Sequence, residues 1–121
     1  MKSVLALFVL SALFSATVFV AAPADSEVCE SGICVVEFNA SFNATNSVPW
    51  IEKLSDCSTS RVDIVSSPDL QQKHKIVVVP TIIIFNDGEE VERFQANIMM
   101  AIEASKSDVQ EAVDEILMSS F

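Results

Sequence analysis

Basic residues are scarce in this sequence: seven Lys or Arg stand against seventeen Asp or Glu in 121 residues. Every acid lies after residue 24, where six bases remain, so that part carries a balance of about −11. Lys73 and Lys75 beside His74 are too few to neutralise phosphates, which excludes nucleic acid and anionic membrane as partners. Histidine occurs once, at His74. With no second histidine and no carboxylates clustered at ligand spacing, no metal site and no cofactor is expected, and His74 reads as a solvated surface residue. There is no internal repeat and no low-complexity stretch. Cysteine is limited to Cys29, Cys34 and Cys57, an odd number that leaves one thiol over or pairs it between molecules.

One long apolar run is present. Lys2 precedes Val4 to Ala22, which holds no charge, and Ala22-Pro23-Ala24 offers small residues for cleavage. This pattern predicts a signal peptide over 1–24 and a single exported domain over 25–121. The alternative is an uncleaved anchor, since the run is just long enough to span a bilayer; the membrane would then be met only through this segment.

The rest of the chain is organised around Val77-Val78-Val79-Pro80-Thr81-Ile82-Ile83-Ile84-Phe85-Asn86-Asp87-Gly88. A proline inside a β-branched run is out of place in a central strand but tolerated at the first residue of one, where a turn can hold it cis. Thr81 to Phe85 then reads as a strand, and Asp87-Gly88 as a tight hairpin turn into Val91 to Phe94. Upstream, Ile33 to Phe38 reads as a buried strand and Asn39 to Asn46 as a loop. A short helix comes next near Ser47 to Leu54, with Pro49 in its first turn, then a strand from Arg61 to Val65. Ser67-Pro68-Asp69 opens a helix through Lys73. The last helix begins at Ser105 or Ser107, each giving a capping box with Asp108 or Gln110. Val109, Ala112, Val113, Ile116 and Leu117 form its apolar stripe.

The order β-α-β-α-β-β-α, with Val79-Pro80-Thr81 … Phe85-Asn86-Asp87-Gly88-Glu89 and Val36-Glu37-Phe38-Asn39-Ala40-Ser41-Phe42, resembles the thioredoxin family across roughly Ile33 to Leu117. Val62-Asp63-Ile64 … Pro68 is similar to that family's second strand and the proline beyond it. The resemblance implies an α/β thioredoxin-like fold: a central mixed sheet of about four strands flanked by helices. It also implies a buried acid at Glu37 with a basic partner at Arg61 on the neighbouring strand. A structural ion pair is the expectation there, because no thiol remains for the acid to serve.

The departures bear on function. Where the resembled family carries Cys-Gly-Pro-Cys after Phe42, this chain has Asn43-Ala44-Thr45-Asn46. Thiol-disulfide exchange needs an activated thiolate and a resolving thiol, and an amide is neither nucleophile nor leaving group. The next helix looks about two turns shorter than the family's. Ala96 replaces a glycine after the hairpin, adding a Cβ where a bound peptide would approach.

Cys29 and Cys34 flank a short loop and can bridge; alternatively Cys34 and Cys57, each at or before the start of a strand, can meet at the sheet edge opposite the proline. Asn39-Ala40-Ser41 and Asn43-Ala44-Thr45 have the form of N-glycosylation acceptors, although turn and cap chemistry alone accounts for such asparagines. Ile98-Met99-Met100-Ala101-Ile102 is either an adaptable contact lip or an extra turn over the core. Two functional readings result. The first is an exported, redox-inactive binding or structural module that takes an extended polypeptide against Phe42, Asn43, Asn46, Val79, Pro80, Thr81, Ala96, Met99 and Met100. The second is a divergent oxidoreductase using Cys29, Cys34 or Cys57.

Overall fold

The computed structural model describes residues 28–120; the apolar run read as a signal peptide lies outside them. Four strands, β1 (Ile33–Asn39), β2 (Ser58–Asp63), β3 (Thr81–Asn86) and β4 (Glu89–Gln95), form one sheet in the order β2-β1-β3-β4. β2 runs parallel to β1, while β3 is antiparallel to both β1 and β4. This is the mixed four-stranded sheet with flanking helices that the sequence predicts.

The central strands are apolar on both faces because both faces are covered. Val36, Phe38, Ile83 and Phe85 pack on one side with Ile64, Ile76 and the Cys29 and Cys34 side chains. Val35, Ile82 and Ile84 pack on the other with Val48, Ile51 and the stripe of α2. The two helices are α1 (Pro68–Lys73) and α2 (Lys106–Ser119). Of the two possible caps for α2, Ser105 is the one used: its Oγ accepts from Asp108 N at 3.2 Å, and Asp108 Oδ2 accepts from Ser105 N at 2.9 Å. Val109, Ala112, Val113 and Ile116 are buried, and Leu117 packs at the margin. Asp87 and Gly88, with φ of 53° and 88°, turn β3 into β4 through the two-residue hairpin expected of Asp-Gly.

Three expectations are corrected. The helix over 47–54 does not form; two 3-10 segments, Ser41–Asn46 and Ile51–Lys53, flank an extended Ser47. Pro49 disfavours a helical residue before it, and the Val48 backbone is bound elsewhere, its N–H to Glu37 and its carbonyl to Arg61. β2 begins three residues earlier than predicted and ends two earlier. Ser58 to Ser60 serve as strand despite their polarity because β2 is an edge. Asp63 ends it, its Oδ1 accepting from Val65 N at 2.9 Å and its carbonyl from Ser67 N at 3.0 Å. His74 is not solvated: it is half-buried between the rings of Phe38 and Phe85, with centroids 5.4 and 5.2 Å away.

Candidate functional site

The Val79–Pro80 peptide bond is cis. Thr81 Oγ1 donates to Val78 O at 2.7 Å and Ala96 N to Pro80 O at 3.1 Å. These bonds tie the turn before β3 to itself and to the end of β4. In the β1–β3 register Thr81 lies opposite Phe38, so Pro80 comes beside the end of β1 and the 3-10 segment after it.

That segment brings an amide cluster to the proline. Asn43 is buried, and its Nδ2 donates to Asn39 Oδ1 at 3.1 Å, Met100 O at 3.1 Å and, more weakly, Val79 O at 3.4 Å. Asn46 Nδ2 donates to Asn43 Oδ1 at 3.0 Å. Asn39 Nδ2 donates to Asn43 O and Ser47 Oγ at 3.2 and 3.3 Å. The two sequon asparagines thus have their amide nitrogens engaged inside the fold, and a glycan on either would displace those bonds. Asn39 and Asn43, its buried members, are neutral and have both amide atoms bonded, which is how a buried polar group escapes a desolvation penalty.

Beneath it, Glu37 and Arg61 face one another across the parallel β1–β2 pair and form an ion pair. The Glu37 side chain is 1 % exposed and that of Arg61 36 %. The second Glu37 oxygen accepts from Val48 N at 2.9 Å, while Arg61 Nη2 donates to Val48 O at 2.9 Å. Both oxygens of the buried carboxylate have a partner, as such a charge requires.

Above the cluster the surface is apolar. Phe42, Ile76, Val77, Val78, Ile98 and Met100 are among the residues lining an open groove of about 400 Å³ beside Val79. Phe42 and Val77 are largely exposed, and Ile98 almost fully so. The lip from Asn97 to Ala101 is a built turn rather than an added helical turn. Asn97 Oδ1 accepts from Met99 N at 2.8 Å and Ala101 N at 3.2 Å, and Asn97 N donates to Ala101 O at 2.9 Å. Met100 adopts φ +60°, an uncommon conformation for a non-glycine residue. Its carbonyl is turned to the Asn43 amide.

Of the nine residues expected at a peptide site, the structure gathers Phe42, Asn43, Asn46, Val79, Pro80, Thr81, Ala96 and Met100 around the cis bond, with Met99 on the lip. Thr81 and Asn43 are buried structural members, whereas Phe42 and the methionines face solvent. Sequence reasoning missed Asn39 and Asn97 as the residues that hold the two loops. An asparagine at the head of an apolar tripeptide was the available signal for Asn97.

The sulfurs lie elsewhere. Cys29 and Cys34 are bridged, and Cys34 stands opposite Phe85, four positions along β1 from Phe38, or roughly 13 Å. Cys57 is a free thiol just before Ser58, the neighbour of Cys34. It packs toward the opposite face of the sheet from Cys34, so these two do not pair. Burial, then the negative charges of Asp56 and Asp114, raise the Cys57 pKa, so the thiolate is suppressed. Among the described residues no group of side chains could hold a metal ion, and no helix is long and apolar enough to cross a membrane.

No protein-family model and no curated protein matches this sequence. Solved structures do match. A variant of thioredoxin from Halobacterium salinarum superposes with a TM-score of 0.62 at 18% identity, over 75% of this chain and 80% of that one. Thioredoxin from Schistosoma mansoni gives 0.57 at 23%, over 71% and 78%. Thioredoxin from Malassezia sympodialis gives 0.53 at 22%, over 71% and 77%. At such identities the likeness is one of architecture, and it agrees with the sheet order, the hairpin and the proline: this chain has the thioredoxin fold.

Proposed function

We propose that this domain is an exported, redox-inactive thioredoxin-fold module that binds an extended, apolar stretch of polypeptide beside Pro80. The observation that carries the reading is the pairing of an exposed apolar rim with an inert floor. Phe42, Val77, Val78, Ile98 and Met100 offer side-chain contacts, and contiguous exposed apolar surface of this kind marks interaction sites. Beneath them, where an exchanging dithiol would have to stand, Asn43 and Asn46 bond to each other and to backbone. Among the described residues the Val79 N–H has no hydrogen-bond partner, which suits pairing with a strand-like ligand. The Val79 carbonyl is already shared with Asn43, so the ligand would be held mainly by that N–H and by its side chains.

Export is part of the same proposal. It rests on the apolar run over 4–22 and the small residues at its end, and a Cys29–Cys34 bridge suits an oxidising compartment. The second reading, disulfide exchange through that bridge, is favoured by the presence of a bonded cysteine pair. Against it stand the distance of the pair from Pro80 and the burial of both cysteines.

Two measurements separate the readings. A labelled peptide of apolar residues flanked by lysines should bind the wild-type domain and lose affinity on Phe42→Ser or Ile98→Ser. Insulin reduction should remain at background. Reduction that disappears in Cys29→Ser would establish the second reading, and absence of peptide binding would overturn the first.

A further inference from the structure

Three candidates stand out beyond the site already described. The outward edge of β2 is open, but nothing in the structure shows what would pair with it. Cys57 is a solitary, suppressed thiol. The third, the methionine pair on the lip, carries further.

Three methionines fall among the described residues, and two of them, Met99 and Met100, are adjacent on the lip, with 74% and 36% of their surface exposed; Met100 is the one that lines the groove. The third, Met118, is equally open to solvent at 72% but sits near the end of α2. The lip is stiff, since Asn97 holds both Met99 N and Ala101 N, and Asn43 holds the Met100 carbonyl. Met100 therefore lines the groove with Phe42, Val77 and Ile98, and Met99 stands next to it on the same turn.

We propose that this pair is a peroxide-responsive modification site that turns the groove from apolar to polar and releases its ligand. In each step the methionine sulfur gives two electrons to hydrogen peroxide and takes one oxygen. The O–O bond breaks, an S–O bond forms, and the second oxygen leaves as water with the two protons of the peroxide. The product is a polar, chiral sulfoxide in place of an adaptable apolar side chain. A sulfoxide oxygen pressed under an apolar ligand loses its water without gaining a donor, which opposes docking. The inference rests on the polypeptide-binding reading above and adds its regulation.

The test uses the domain over 25–121 and the lysine-flanked apolar peptide as probe. Peptide mapping by mass spectrometry after peroxide should find one added oxygen on each of Met99 and Met100, and the affinity should fall by at least about tenfold. Methionine sulfoxide reductase should restore it. The M99L/M100L variant keeps size and apolarity; whatever its own affinity for the peptide, that affinity should be the same before and after peroxide, while M118L should respond as the wild type does. Retained affinity with both methionines oxidised would overturn the switch and leave the binding reading intact. An equal loss in M99L/M100L would overturn it too, because the effect would then run through another group. No binding before peroxide would overturn both readings.

Discussion

The side-chain amide of Asn43 reaches the carbonyl of Met100, 57 residues away, at 3.1 Å. One asparagine thus joins the turn after β1 to the lip after β4, and its weaker bond to Val79 O ties both to the cis proline. The amide thereby holds the lip that carries Met100 against the turn that carries Phe42.

Removing the amide should loosen the site and cost stability. Asn43→Ala leaves Asn39 Oδ1, Asn46 Nδ2 and the Met100 carbonyl short of a partner, all in or near a buried cluster. Unsatisfied groups of this kind cost about 1–3 kcal/mol, readable as a lower urea midpoint with unchanged slope. Asn43→Asp keeps the shape but can donate nothing from its ionised carboxylate and adds a charge facing two carbonyls, so it should lose more than the alanine variant at neutral pH. Equal stability of all three proteins would show that the cluster is not holding the loops.

The Glu37–Arg61 pair yields a second prediction. Arg61→Ala strands a buried carboxylate whose remaining partner is one backbone N–H. Breaking a fully buried pair costs about 3–5 kcal/mol; Arg61 is partly wet, so a loss of about 2–3 kcal/mol is expected. Glu37→Gln/Arg61→Met should recover part of it, since the charge and its need for a partner go together. Chemical denaturation of Glu37→Gln, Arg61→Met and the double variant measures the coupling directly.

Much of this is legible in the residues themselves, for reasons that differ by element. β1 and β3 are buried on both faces, and their near-continuous apolar runs, interrupted in β1 by Glu37, declare it. Asp87-Gly88 specifies the hairpin because only left-handed backbone fits there. The α2 stripe is unambiguous, although its cap has two candidates until the backbone decides between them. The failures share a cause. Ser58 to Ser60 look like loop but pair as strand because a neighbour offers the hydrogen bonds. The 47–54 segment has helix-forming residues but gives up the Val48 backbone to an ion pair made by residues 11 and 13 positions away. His74 looks solvated beside its two lysines, yet two phenylalanines distant in sequence close on it. Long-range partners override local preference in each case.

The Cys29–Cys34 bridge closes a loop with a sequence separation of only 5. Chain-entropy reasoning gives such a short loop roughly 2 kcal/mol of stabilisation. Cys29→Ser/Cys34→Ser should therefore melt lower by several degrees yet bind the lysine-flanked peptide as well as the wild type, because the bridge lies at the far end of β1 from Pro80. Loss of peptide binding in a variant still folded by circular dichroism would show that the two ends of the sheet are coupled.

Cys57 offers a pH signature. Burial first, then Asp56 and Asp114, raise its pKa in the folded state, whereas the unfolded chain titrates at about 8.5. The stabilisation from keeping this thiol protonated is fully present below the unfolded value and is lost as pH rises through the folded one, since the unfolded state then releases its proton first. Urea midpoints should accordingly fall between neutral and strongly alkaline pH by more in the wild type than in Cys57→Ala. Iodoacetamide should label the folded thiol slowly at pH 8. Asp56→Asn, which tolerates the positive φ of 66° at that position, removes one of the two charges and should speed labelling at a fixed pH. Labelling as fast as a free cysteine would mean that the site is open to water and the pKa not raised. A pH dependence identical in Cys57→Ala would place the titration on another group.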